Sequence, residues 1–283
     1  PGLTIDYTIT DSSSNQITGS VLVGGSGTWT VTEDFSPLSD GNIVIDLIET
    51  DEVGNSVSLS EEITLDTNGP SPFISTPIST DNNVNELEAP AVIFTGAGEP
   101  GSIISVVVGD GIDTVGPTQV IVNSIGTWSV ELDISTLSDG SATITATETD
   151  VNSNTGLPVS AIFNIDTTAP QITILPPVAG DNIVNGNEED NVIINGTGEP
   201  GSSIFVDVTD DLNNVLSSIT VIGQDGTWSI DFDVSSLVDG TLTIVASDTD
   251  EAGNIGSDTL DITKQTTVPT ISIITPIEGD NII

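Results

Sequence analysis

Two short stretches hold the residues best suited to chemistry: Glu49-Thr-Asp51-Glu-Val-Gly54-Asn55 and Asp248-Thr-Asp250-Glu-Ala-Gly253-Asn254. Each sets two carboxylates, one residue apart, ahead of a Gly-Asn turn. That spacing sends both side chains to one side of the turn, and a carbonyl beyond the glycine can join them. Such an oxygen cluster suits a hard cation, which wants six to eight oxygens. Because every candidate donor is oxygen, Ca2+ is favoured over zinc or copper. Neither stretch completes a site alone. Glycine stands at the sixth place, as in an EF-hand loop, but the fifth holds Val53 or Ala252 and the twelfth has no glutamate. The remaining oxygens must come from elsewhere in the chain.

Charge makes the demand for a cation general. The 283 residues include 43 acids and one base, Lys264, for a net charge of −42, with no histidine and no cysteine. Two carboxylates about 4 Å apart repel by roughly 4 kcal/mol at an effective dielectric of 20. A bound divalent ion reverses that sign. The same charge excludes nucleic acid as a partner, since phosphate binding needs lysine and arginine, and opposes docking on anionic membranes. No apolar run approaches the ~18 residues that cross a bilayer, so no membrane insertion is expected in this segment. Without His, Cys or Arg, catalysis would fall to carboxylate pairs. The acids recur at equivalent places, which suits structure better, so no enzyme is expected. Lacking cysteine, the fold has no disulfides.

What positions the acids is a repeat. Gly-Thr-Trp recurs at Trp29, Trp128 and Trp228, and Asp-Gly at Asp40, Asp139 and Asp239. A proline opens each unit at Pro70, Pro170 and Pro269, and Gly-Glu-Pro-Gly-Ser occurs at 98–102 and 198–202. All four landmarks share a period of 99 or 100 residues. The period divides the chain into a partial repeat at 1–69 (strands C–G), complete repeats at 70–169 and 170–268, and the first strand of a further repeat at 269–283. The ends read as an excerpt from a longer array or as a strand-exchange design.

Within a repeat the pattern is β throughout. Trp128, Val130, Leu132 and Ile134 alternate with polar residues, as do Ala142, Ile144 and Ala146. Seven strands per repeat follow: A 72–78, B 91–97, C 103–109, D 117–123, E 127–134, F 142–149 and G 158–165. This is the layout of an all-β, immunoglobulin-like sandwich, with tandem domains arranged end to end as a rod. One tryptophan per repeat on an alternating strand is read as core.

Strand reversal sorts the loops onto two poles, where consecutive repeats meet. An aspartate precedes each proline by four residues, Asp66 before Pro70 and Asp166 before Pro170. At a head-to-tail junction it approaches the next F–G loop. The expected junction sites are therefore Asp66 with Glu99, Glu148 and Asp150, and Asp166 with Glu199, Asp248 and Asp250. Glu49 and Asp51 form the corresponding loop of the first repeat. A second set is placed at the other pole, from Asp81 and Asp139, repeated as Asp181 and Asp239, with Glu86, Glu88 and Glu188 nearby. Two departures stand out. The second F–G loop reads Glu148-Thr-Asp150-Val-Asn152-Ser153-Asn154, without the glycine, and Gln265 replaces the closing aspartate beside Lys264. The last junction should be weaker or cation-free.

The string Gly-Thr-Trp-Ser…Leu-x-Asp-Gly…Asp-x-Asp-x-Ala-Gly-Asn…Asp-Thr-Thr-Ala-Pro resembles bacterial immunoglobulin-like (BIg) repeats of giant calcium-dependent surface adhesins of the RTX, biofilm-associated type. The resemblance covers essentially the whole chain. It implies calcium at domain junctions, export by type I secretion, an extracellular place on the bacterial surface, and a structural extender (stalk) role in adhesion or biofilm formation. Neighbouring repeats of the same chain are the expected partners, with sister chains in a filament as a further one; the tip ligand is not implied. The alternatives are a ligand-binding module and a subunit of a matrix filament assembled by strand donation.

Overall fold

Alternating sequence becomes strands with one buried face. In Gly140–Thr149, Ala142, Ile144 and Ala146 are fully buried, while the threonines between them are partly exposed. The structure is a computed structural model that describes residues 2–272. The further strand expected at 269–283 falls largely outside those residues. Among the described residues no helix is long and apolar enough to cross a membrane.

The first repeat supplies β1 (Thr4–Asp11), β2 (Gln16–Leu22), β3 (Gly41–Thr50) and β4 (Ser56–Leu65), in one sheet of order β2-β1-β3-β4. The second supplies β5 (Phe73–Ile74), β6 (Asn83–Val84), β7 (Val92–Ala97), β8 (Ile103–Gly109), β9 (Thr114–Ile121), β10 (Thr127–Leu132), β11 (Gly140–Thr149) and β12 (Val159–Ile165). These form sheets β10-β7-β5 and β6-β12-β11-β8-β9. The third repeats the plan with β13 (Thr173–Ile174), β14 (Ile183–Val184), β15 (Val192–Thr197), β16 (Ser203–Asp210), β17 (Val215–Val221), β18 (Thr227–Phe232), β19 (Gly240–Thr249) and β20 (Ile255–Lys264). Its sheets are β13-β15-β18 and β14-β20-β19-β16-β17.

Contacts gather into two compact units. One comprises Pro1–Asn82, Ala91–Leu137 and Ser141–Phe163; the other comprises Asn83–Pro90, Ser138–Gly140 and the chain from Asn164 on. Within the second unit, both sheets of the third repeat feed one core: Ile194 and Trp228 from one, Val206, Leu242 and Ile244 from the other. In the first unit, Phe94 of β7 and Phe163 of β12 meet across the sandwich, with ring centroids 5.8 Å apart. Tyr7, Ile9, Leu38 and Ile43 make a small core in the first repeat.

Three sequence expectations need correction. Strand A, placed at 72–78, is two pieces: β5 pairs antiparallel with β7, whereas β6 pairs parallel with the end of β12. Between them the chain turns on Ser79 and Asn82, both at positive φ, and the Asn82 side chain accepts the Ile78 N–H at 2.7 Å. The strand labelled D, at 117–123, is β9, which starts and ends earlier, at Thr114–Ile121, and pairs with β8. Its short link to β8 makes a hairpin, which places it in the larger sheet. Trp29, expected in the core, is 36% exposed, and the residues around it form no strand. Its counterparts Trp128 and Trp228 lie on β10 and β18, paired with β7 and β15, for which residues 1–69 hold no equivalent.

Candidate metal centre

Each F–G turn is built by its second acid. Asp150 Oδ1 accepts the N–H groups of Asn152 and Asn154, and its Oδ2 accepts the Asn154 amide at 2.9 Å. Asp250 does the same with Ala252 and Asn254, and Asp51 with Val53 and Asn55. Burial pushes the Asp150 carboxyl up, but the bonds from Asn154 and its loop outweigh this and leave it lowered. These aspartates are turn-makers first. With two N–H groups on Oδ1 and one amide on Oδ2, each of these carboxylates keeps one acceptor direction, on Oδ2.

The first acid of each pair lies deeper. Glu148 is wholly buried. Its Oε1 accepts the Glu99 N–H at 2.5 Å and the Ser102 hydroxyl, while its Oε2 has no hydrogen-bond partner at all. An unpartnered carboxylate oxygen out of contact with water is costly. Asp248, one methylene shorter and 3% exposed, satisfies both oxygens, with Ser202 on Oδ2 and the Thr249 N–H on Oδ1. Glu49 stands at the same place in the first repeat, partly exposed.

The linker aspartates are bonded to these turns through asparagine amides. Asp66 accepts the Asn152 amide on Oδ2 at 2.8 Å and the Asn154 amide on its backbone oxygen at 3.0 Å. Asp166 accepts Asn254 on its backbone oxygen at 2.7 Å. At the second junction Asp166, Glu199, Asp248 and Asp250 line one cleft of about 780 Å³, together with Glu251. Among the described residues no three acidic side chains converge as a finished metal site. The oxygens are gathered, not closed.

At the other pole the aspartates have a different occupation. Asp139 accepts the Thr167 N–H and the hydroxyls of Thr167 and Thr168. Asp239 takes the N–H and hydroxyl of both Thr266 and Thr267. Each thus ties down the linker that follows its own last strand. Asp181 accepts the Ile183 N–H, and Asp81 lies in the matching loop. Sequence reasoning placed Lys264 beside the last junction but missed its buried role. Its ammonium is buried, bonded to the carbonyls of Val234 (2.8 Å) and Leu237 (2.7 Å), and paired with Glu189 at 2.9 Å. The available signal was a paired change between repeats: Ile165 and Ala89 stand where Lys264 and Glu189 do.

The internal carboxylate bonds set an acid limit. The Asn214 amide, with the N–H groups of Val238, Asn214 and Leu212, holds Asp210 at about 2 despite opposing burial. The Thr267 and Thr266 hydroxyls and amides hold Asp239 at about 2. With folded values below the unfolded 3.8, these groups contribute fully above that pH and lose their contribution as pH falls toward about 2. Meanwhile the net charge of −42 shrinks on acidification, which relieves self-repulsion. In chelator, the melting temperature is expected to rise from pH 7 to about 4 and drop steeply between about 4 and 2. A steady fall from pH 7 in thermal scans would contradict this.

Residues 176–265 match the bacterial Ig domain and residues 27–119 the bacterial Ig-like domain (group 3). Halomucin of Haloquadratum walsbyi is 29% identical over 138 residues, 45% of this chain and 1% of that protein. Among solved structures, a Ca2+-stabilized adhesin that helps an Antarctic bacterium reach out and bind ice shares the fold at TM-score 0.50. It is 23% identical, over 95% of this chain and 66% of that one. A tetra-tandem repeat in the extending region of a large adhesion protein is 30% identical, over 94% of this chain and 68% of that one, at TM-score 0.35. The chain therefore spans about a hundredth of halomucin and about two thirds of each adhesin structure. Its sequence matches and its sandwiches agree: the chain belongs to the bacterial immunoglobulin-like domains and carries them in tandem.

Proposed function

We propose that this segment is an extender, a stretch of stalk in a large surface adhesin, stiffened by Ca2+ at the junctions between its repeats. The observation that carries the reading is the buried, unpartnered Oε2 of Glu148, whose other oxygen takes the Glu99 N–H. A site built only of oxygens, with one acceptor already stripped of water, fits a hard divalent ion. Asp66, Glu99, Glu148 and Asp150 would hold it at the first junction, and Asp166, Glu199, Asp248 and Asp250 at the second. The ion would supply positive charge where the chain has none. The Antarctic adhesin that shares this fold is Ca2+-stabilized, which supports the same choice of ion. The segment lies outside the cell in this reading, exported by type I secretion. Its partners are the adjoining repeats, and its acids do no catalysis.

Calcium titration tests the reading. At a hundredfold excess over its dissociation constant, a ligand specific to the folded state adds about 2.7 kcal/mol. For a repeat of this size that raises the melting temperature by roughly 10 °C or more. Glu148→Gln keeps an acceptor for Glu99 and Ser102 but removes one of the four negative charges at the proposed site, so its calcium-induced rise should shrink. An equal melting temperature in calcium and in chelator, with no binding heat by calorimetry, would end the proposal.

A further inference from the structure

The second junction is joined by hydrogen bonds that involve no ion, and they run between two particular loops. Asn254, at the end of the F–G turn of the third repeat, is 4% exposed. Both its amide hydrogens and its oxygen are engaged. Nδ2 donates to the Asp166 backbone oxygen at 2.7 Å and to Asp250 Oδ2 at 2.9 Å, and Oδ1 accepts the Glu86 N–H at 2.9 Å. Because Glu86 supplies a donor and Asp166 an acceptor, only one orientation of the amide satisfies both. Glu86 belongs to the A–B loop of the preceding repeat. Its neighbour Asn85 completes the exchange, donating from Nδ2 to the Ala252 backbone oxygen at 2.9 Å.

The fit between the loops is close as well as polar. Ala252 is 6% exposed, whereas Val53, at the same place in the first F–G loop, is 84% exposed. A Cβ on Gly253 would come within 3.2 Å of the Asn85 amide, and one on Gly256 within 1.8 Å of the Pro170 oxygen. The linker backbone thus lies directly on glycine. Asn85 is itself held rigid, since its Oδ1 accepts the N–H groups of Leu87 and Glu88. That receptor turn recurs in the next repeat, where Asn185 Oδ1 accepts the Asn187 N–H and Glu188 holds the Asn185 N–H.

We propose that Asn85 and Asn254 form a metal-independent latch, in which the A–B loop of one repeat is an interaction surface for an F–G loop of the Asp-x-x-Gly-Asn type on the next. The latch fixes the register of the two repeats before any cation arrives, and the ion then neutralises acids already brought together. The idea rests on the stalk reading above but needs no calcium. It assigns Asn85 a positioning role and predicts that loops lacking its amide leave the junction loose.

Asn85→Asp is the direct test, because it keeps the oxygen that caps Leu87 and Glu88 while replacing the donor to Ala252 with a charged acceptor. The chain has no cysteine, so spin labels placed by Ile121→Cys and Val221→Cys report one distance. In chelator the parent protein should give a narrow distance distribution and Asn85→Asp one about twofold broader. The melting temperature should be unchanged, which separates a loosened junction from an unfolded repeat. Amide exchange provides a second measure: Glu86 N–H should exchange at least about tenfold more slowly in the parent than in Asn85→Asp, again without calcium. Equal widths in parent and variant, or a Glu86 amide that exchanges in the parent like a free loop, would overturn the latch. Failure of calcium to bind would remove the ion from the junction while leaving these outcomes intact.

Discussion

Gly196→Ala is expected to destabilise the third repeat by about 3 kcal/mol, the upper end of ordinary overpacking. Gly196 faces Trp228 across the β15–β18 pair. A Cβ there would lie 2.1 Å from the indole and 2.3 Å from the Thr173 backbone oxygen. The ring cannot swing away, because its N–H donates to the Thr197 oxygen at 3.2 Å and its body is buried among core residues. Nor can Thr173 retreat without breaking its pairing with β15. The second repeat repeats the device, with Gly96 under Trp128 and the Phe73 oxygen 1.9 Å from a Cβ. Trp29, without such a strand, shows what the same ring does alone, lying partly exposed beside Tyr7 and Phe35. Urea titration followed by tryptophan fluorescence should show the transition of the third repeat moving to lower denaturant, with that of the second unmoved. An unshifted midpoint would mean that the glycine is there for its backbone and not for the ring.

That pairing marks the boundary of what the sequence discloses. The period of about 100 residues, the alternating strands and the all-β class are local or self-similar signals, and they are legible in the chain as it stands. Sheet membership is not, because it depends on partners far away in sequence. Residues 114–121 carry no mark of their partner in the sequence, and the hairpin with β8 settles it. Strand A divides for a similar reason: Asn82 folds back onto Ile78, which no alternation pattern reveals. At the candidate site the acids were found by charge and spacing, but their division of labour was hidden. Asp150 and Asp250 are bonded into their own turns, Asp139 and Asp239 hold linkers, and Glu148 keeps one oxygen unpaired. Burial separates these roles, and composition carries no record of burial. In the sequence Asn254 reads only as part of a turn, and Asn85 escapes notice because an uncharged amide gives no signal in a polyanion.

Lys264 offers the second large effect. Removing its side chain as Lys264→Ala should cost about 3 kcal/mol, the scale for breaking a buried pair by deleting one partner. The ammonium satisfies the Val234 and Leu237 carbonyls and the Glu189 carboxylate together, with Lys264 2% and Glu189 23% exposed. Alanine would take this donor from all three, leaving Val234 O only the Leu237 N–H. The second repeat shows a different solution at the matching places, where Ile165 and Ala89 are each 1% exposed. Two charges and two hydrocarbons thus fill corresponding spaces in one architecture. Lys264→Ile combined with Glu189→Ala should therefore restore stability to within about 1 kcal/mol of the parent, or exceed it, because the desolvation of both charges is removed along with their attraction. The pair of variants separates two explanations for the one base in the chain. If the ammonium serves as a tethered counter-ion for acids beyond Glu189, the double variant should stay about as unstable as Lys264→Ala, because removing Glu189 restores the net charge of −42 but leaves those other acids without their cation. If it serves only Glu189 and the turn carbonyls, the double variant recovers. The short distances and the near-complete burial favour the second outcome, and urea titration of the two variants in chelator decides it.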